Sequence, residues 1–199
     1  MMNNWNFFDR ITCLTLGGDE WTYAEAEFNA VGLKARPFQA IPSIGPHQSF
    51  NLSTYQILKE FFESKDHTLL FLEDDCEFRD LHLMSKVLRE LPKDFDIFYL
   101  GANIRDEKPQ RISQHIYRVS DCWTTHAVVY RKPIVKFILD NHPGESEQMY
   151  DNWLAGQLPN WKAYVCKPFL AYQRPRKSAI WNEVVNYENI FKESQMKLV

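Results

Sequence analysis

No apolar run in this 199-residue chain approaches the roughly 20 residues needed to cross a bilayer. The longest runs, such as Thr68 to Leu72, stop far short, so no membrane span is expected. Asn3, Asn4 and Asn6 break up the opening segment where a secretory signal would be continuously apolar, and the expectation is a cytoplasmic protein. Close cysteine pairs are also missing. Cys13, Cys76, Cys122 and Cys166 stand far apart, which excludes the spacing of a zinc knuckle or redox motif and predicts free thiols that act as small hydrophobes. Nor is there an excess of one charge. A formal net charge of −3 and a pI near 6.1 give no whole-molecule attraction to nucleic acid or anionic membrane, leaving only local basic patches to consider. Internal repeats, low-complexity linkers and a complete glycine-rich phosphate-binding motif are absent as well.

What remains is the composition of an ordinary globular chain, with 45% apolar and 25% charged residues. The length suits one domain over residues 1–199, with a core over about 11–180 and a tail over 181–199. Aromatic residues reach 15%, enough for a heavily packed core or for a groove that stacks planar or sugar-like ligands.

The pattern alternates strands with helices. Ile11 to Leu16 reads as a first strand, ended by Gly17-Gly18, and Trp21 to Val31 as a helix with Asp19 or Thr22 as cap. A strand near Ala35 to Gln39, an irregular loop over Ala40 to Pro46 and an amphipathic helix over Ser49 to Ser64 follow. Thr68 to Leu72 is apolar on both faces, the pattern of a central parallel strand covered on both sides. Beyond it the spacing predicts a helix near Leu81 to Leu91, a strand near Ile97 to Leu100, and a strand pair near His115 to Val119 and Thr125 to Tyr130. Pro133 should open another helix. A short helix over Asp151 to Gln157, a strand over Ala163 to Cys166, a basic loop over Arg174 to Lys177 and a terminal helix over Asn186 to Glu193 complete the reading. The fold class is therefore α/β, one Rossmann-like domain with a mixed central sheet flanked by helices.

Chemistry concentrates at Glu73-Asp74-Asp75, three adjacent carboxylates at the edge where open α/β sheets bind ligands. Their mutual repulsion is relieved by a divalent cation, magnesium or manganese, which also bridges to phosphate oxygens. The competing reading is a solvated turn with Asp75 capping a helix. Asp151 opens a predicted helix, either as a first-turn acid or as the general base for an acceptor hydroxyl. His126 is open to three roles: metal ligand, phosphate contact or core histidine. Arg174, Arg176 and Lys177 form the densest basic group, able to neutralise a pyrophosphate or simply to face solvent. Backbone amides near Gly17 and Gly18 are candidates for approaching a nucleotide.

Taken in order, these segments resemble glycosyltransferase family 25, the lipooligosaccharide-type and collagen-type sugar transferases. Ile11 to Leu16 is similar to the family's first "INL"-like strand, and Phe38-Gln39-Ala40-Ile41 to its "F-x-A-I" segment. Leu52-Ser53-Thr54 stands near its Ser-His pair, Phe71 to Asp75 resembles its "LEDD" cluster, and Asp96 to Gly101 its "D-ϕ-ϕ-x-L-G" strand. Thr125-His126-Ala127-Val128-Val129 is similar to "T-H-A-Y-ϕ", Tyr150 to Leu154 to the "D-x-W/L" segment, and Gln173 with Ser178-Ala179-Ile180 to the closing motif.

The resemblance implies a GT-A fold, a nucleotide-diphosphate donor such as a UDP-sugar, a manganese-like ion, and a carbohydrate or other hydroxyl acceptor, as in lipopolysaccharide biosynthesis. It implies Asp75, Asp74 and His126 at the metal, Asp151 and Glu73 in catalysis, and Thr15, Leu16, Gly17, Ser53, Asp74, Arg174, Arg176 and Lys177 around the donor. Two departures stand out: Gly17-Gly18-Asp19 replaces an Arg-containing segment, and Ser53-Thr54 replaces Ser-His. Two alternatives share the acidic site. One is a metal-dependent phosphohydrolase or nuclease, with Asp96 and Asp151 as its extra acids. The other is a non-catalytic nucleotide- or carbohydrate-binding module.

Overall fold

The run RITCLT becomes the first strand, β1 (Arg10–Thr15), with its last four residues buried. In this computed structural model residues 4–177 and 183–199 are described. Helix α1 (Gly18–Ala30) follows, then β2 (Arg36–Gln39), and α2 (Pro46–Glu63), which a proline in its first turn helps to start. Next come β3 (Thr68–Glu73), β4 (Cys76–Phe78), α3 (Met84–Glu90) and β5 (Ile97–Tyr99). Four short strands cross the middle of the chain: β6 (Asn103–Ile104), β7 (Gln110–Arg111), β8 (Ile116–Arg118) and β9 (Cys122–Trp123). The remainder holds β10 (Ala127–Arg131), α4 (Lys132–Asn141), α5 (Tyr150–Ala155), β11 (Ala163–Cys166) and β12 (Ala171–Gln173). It ends with β13 (Arg176–Lys177), β14 (Val184–Val185) and α6 (Glu188–Lys197).

The main sheet has eight strands in the order β2-β1-β3-β10-β5-β11-β8-β7. Pairs β1–β2, β1–β3 and β5–β11 are parallel, while β10 runs antiparallel to both β3 and β5. Both faces are covered. Leu69 and Phe71 of β3 join a core with Leu58 and Phe61 of α2 and Ile134 and Ile138 of α4. The alternate residues Leu70 and Leu72 join a second core with Ala24 and Phe28 of α1 and Val87 of α3. The period of two along β3 thus places apolar side chains on both sides, as its sequence predicts.

The expected strand pair over His115–Val119 and Thr125–Tyr130 is not a pair. Ala127 to Tyr130 are all fully buried, a pattern suited to the sheet centre, and β10 sits between β3 and β5. Strand β8 exposes Arg118 and lies farther out, between β11 and β7. The expected helix over Leu81–Leu91 begins with a 3-10 turn at Leu81–Leu83 before becoming α3. Neither Asp19 nor Thr22 caps α1: Gly17 holds the cap position at φ +81°, without a side-chain hydrogen bond. All four cysteines are buried free thiols. Among the described residues no helix is long and apolar enough to cross a membrane.

Candidate functional site

Strand β3 ends at Glu73, and the chain turns at Asp74-Asp75 before returning as β4. The solvated-turn reading fails here, because Asp74 and Asp75 are only 2% and 5% exposed and no helix starts at Asp75. Buried carboxylates need partners. Asp74 Oδ2 accepts the Leu16 amide at 3.0 Å, and its Oδ1 lies 2.7 Å from Arg176 Nη1. Asp75 Oδ2 accepts Arg176 Nε at 3.1 Å and Gln173 Nε2 at 3.2 Å, whereas its Oδ1 is buried without a partner. The Arg174 amide also donates to the Asp75 carbonyl at 2.8 Å, tying the basic segment to the acidic turn.

Arg174 and Arg176 meet again on Glu20 in the first turn of α1. Arg174 Nη2 contacts Glu20 Oε2 directly, and Arg176 Nη1 lies 3.4 Å from the same oxygen. The Arg174 guanidinium also stacks 4.2 Å from the Tyr23 ring centre. Two guanidinium groups therefore face three carboxyl groups. Burial works against the charge on Arg176, but Asp75, Asp74, Glu73 and Glu20 together outweigh it and raise its pKa.

One cavity joins this cluster to the second acid. Leu16, Glu73, Asp74, Asp75, Asp151 and Arg176 line it, together with His47, Phe50 and Tyr187. Asp151 accepts the Asn152 amide at 2.8 Å and the Thr124 amide at 3.4 Å, so it serves the first turn of α5 while facing the cavity. Thr124 reaches it from a left-handed conformation at φ +72°. Burial pushes the carboxyl of Asp151 up, and it does the same to Asp75. Glu73 rises to about 8 through burial and then the charge of Asp75, against a 2.9 Å hydrogen bond from Thr125 Oγ1.

Several expected contacts are made elsewhere. His126 does not join Asp74 and Asp75. Its ring is fully buried, packs 5.2 Å from Phe191, and is held neutral by burial at a pKa of about 4. Among the described residues no group of three His, Cys, Asp or Glu side chains is placed to hold a metal ion. Ser53 is also committed to the scaffold, accepting the Ile41 amide at 2.8 Å and donating to the Ser49 carbonyl at 2.6 Å. It braces the loop before α2 and does not line the cavity. Thr15 does line it, but Thr15 Oγ1 accepts the Gly17 amide at 2.9 Å, so the Leu16 and Gly17 amides just after β1 serve Asp74 and Thr15.

Arg176 and Lys177 form β13, paired with β14, where a loop was expected. The side chain of Lys177 and the whole of Ser178-Ala179-Ile180 lie outside the described residues. Asp96, the extra acid of the hydrolase reading, is engaged elsewhere, accepting the Lys162 amide at 3.1 Å. Glu20, His47 and Tyr187 are cavity or clamp residues that no sequence motif marks; only the finished fold brings them to the acids.

The sheet order, the acidic turn after β3 and the cavity across the strand ends define a GT-A-like α/β fold. Solved structures share it. A197 from STIV superposes with a TM-score of 0.54 at 13% identity, over 88% of this chain and 93% of that one. S. aureus TarS 1-349 in complex with UDP-GlcNAc gives 0.53 at 12% identity, over 94% of this chain and 65% of that one. A glycosyltransferase involved in the glycosylation of the major capsid of PBCV-1 gives 0.50 at 13% identity, over 94% and 99%. At these identities the likeness is one of fold. No protein-family model matches the chain, and no curated protein does.

Proposed function

We propose that the chain is a glycosyltransferase of the family 25 type, moving a sugar from a nucleotide-diphosphate donor, a UDP-sugar, to an acceptor hydroxyl. The observation that carries this reading is the cavity itself: a buried acidic turn, two clamped arginines and a second, half-buried carboxylate share one lining. Two fold neighbours, a glycosyltransferase involved in capsid glycosylation and a protein solved in complex with UDP-GlcNAc, agree with it. Asp96 lies apart, which leaves the phosphohydrolase reading with only Asp151 of its two extra acids at the cavity.

Arg174 and Arg176 would bind the diphosphate and balance the charge that grows on it as the sugar departs. The bond between the anomeric carbon and the diphosphate oxygen breaks, and the acceptor oxygen forms the new one. Asp151 takes the acceptor's proton on the carboxylate edge that faces the cavity. Asp74 accepts the Leu16 amide just beyond β1, which ties the donor side to the acidic turn.

The residues present fit a divalent cation. Asp75 Oδ1 is a buried carboxylate oxygen with no partner, and oxygen is the ligand that magnesium and manganese prefer. Asp75 would hold the ion, while both oxygens of Asp74 are engaged by Leu16 and Arg176. When bound, such an ion stabilises negative charge on a departing diphosphate.

The test is calorimetry with UDP in the presence and absence of Mn2+, followed by turnover with a panel of nucleotide sugars. Metal-dependent UDP binding and donor hydrolysis or transfer are expected. Asp75→Ala should fold and lose both. An Asp75→Ala protein that retains donor turnover, or a wild type indifferent to every nucleotide sugar, refutes the proposal.

A further inference from the structure

Three side-chain oxygens of residues lining the cavity are buried and unpartnered: Asn51 Oδ1 on α2, and Asp75 Oδ1 and Gln173 Oε1 beside the acidic turn. The last two belong to neighbouring groups. Strand β12 pairs antiparallel with β4, which sets Gln173 opposite Cys76, immediately after Asp75. Gln173 Nε2 donates to Asp75 Oδ2 at 3.2 Å, and this bond fixes the amide so that Oε1 is the atom left over. Both residues line the cavity, and Asp75 is only 5% exposed.

A buried acceptor with nothing to accept is costly, about 1–3 kcal/mol each, so two in one wall call for a shared partner. Arginine is not that partner. Arg176 takes Asp74 Oδ1 and Asp75 Oδ2, the other oxygens, so a guanidinium and a second cation can occupy the wall together. Arg174 Nε is itself buried without a partner, so it satisfies neither oxygen. A carboxylate oxygen and an amide carbonyl oxygen are both hard ligands, suited to Mg2+ or Mn2+ and unsuited to soft metals.

Resting on the diphosphate reading above, we propose that Gln173 is a cation ligand, its Oε1 acting with Asp75 Oδ1, in the place where a histidine was expected. The neutral amide lets the wall hold a divalent ion without adding a further negative charge beside Asp74 and Asp75. The ion's other positions fall to donor phosphate and water, so binding should depend on the nucleotide.

The experiment is Mn2+ titration, followed by the electron paramagnetic resonance signal of the free ion, with and without UDP. It uses wild type, Gln173→Ala and Gln173→Glu, with thermal melts of each. Wild type should bind Mn2+ in the presence of UDP, and Gln173→Ala should bind it about tenfold more weakly or worse. Gln173→Glu separates a ligand from a brace. As a ligand, the added carboxylate keeps or strengthens Mn2+ binding and gives a larger rise in melting temperature on adding the ion. As a brace for Asp75 only, it repels that carboxylate and loses binding as the alanine variant does. Wild-type affinity in Gln173→Ala, or loss in Gln173→Glu, overturns the inference and leaves the diphosphate reading standing, with the two oxygens serving water only. A wild type that binds no Mn2+ with UDP overturns the cation reading and this inference together.

Discussion

Replacing Gly101 with alanine should loosen the strand that carries Gln173, and the size of the effect follows from distances. A Cβ at Gly101 would lie 2.0 Å from the Ala171 carbonyl oxygen and 3.3 Å from His126 Nε2, where contacts under 3.0 Å are not tolerated. Strand β12 would have to retreat by about 1 Å, against a fully packed core. The same strand is held by the Leu100 carbonyl, which accepts the Leu170 amide at 2.7 Å and the Ala171 amide at 3.1 Å. Overpacking costs about 1–3 kcal/mol and each weakened hydrogen bond about 1 kcal/mol, so the sum is on the order of 3 kcal/mol. For a chain of this length that lowers the melting temperature by about 6–12 °C. Differential scanning calorimetry of Gly101→Ala reads it directly. Gly156→Ala is the control, since Gly156 has φ −62° and its Cβ would meet nothing closer than 3.4 Å. A Gly101→Ala protein melting within about 2 °C of wild type would refute the argument that close approach of β12 requires a glycine.

Asp151→Asn keeps the side chain's size and can keep the shorter Asn152 amide bond, giving up only the 3.4 Å one from Thr124, while removing the proposed base, so transfer should fall by about 100-fold or more while UDP affinity changes little. Steady-state rates beside calorimetry separate the two, and an undiminished rate would assign the base elsewhere. Partial burial alone would raise the Glu90 carboxyl, but hydrogen bonds from Ser113 and His115 outweigh it and hold it at about 2, below its ordinary 4.5. This lowered pKa contributes stability that is present above pH 4.5 and lost as the pH falls toward 2. The carboxylate side chain is 28% exposed, so the contribution is about 1–2 kcal/mol after screening. Urea titrations should therefore show Glu90→Gln less stable than wild type at neutral pH and the gap closing in acid; a gap independent of pH contradicts the linkage. Phe61→Ala removes a fully buried ring between α2 and the sheet and should cost about 3–5 kcal/mol by chemical denaturation.

Legibility in the sequence follows the range of the physics. Strand β3 is readable because five successive residues carry their own pattern, and the position of the acids after it follows from where that pattern stops. Strand β11 is found at Ala163–Cys166 for the same reason. The partner of a strand is a different question. Thr125 to Tyr130 and His115 to Val119 are adjacent in sequence, yet β10 enters the sheet centre because four successive buried residues need cover on both faces. Ser53 is a parallel case, since a hydroxyl on a helix next to a loop is as suited to bracing Ile41 as to binding a nucleotide.

His126 is a further position that local pattern does not place. Thr125 and His126 are consecutive where the chain bends into β10. Thr125 Oγ1 donates to Glu73 on the cavity side, while His126 packs against Phe191 in the core. The same holds for Gln173, whose importance lies in one leftover atom. Sequence names the amide but not that its nitrogen is spent on Asp75 and its oxygen on nothing. Likewise, Glu20 binds Arg174 and Arg176 from more than 150 positions away, a pairing that no local spacing encodes. The acidic turn can be buried because Arg176 neutralises it, and it does so on Asp74 Oδ1 and Asp75 Oδ2 while Asp75 Oδ1 stays buried without a partner.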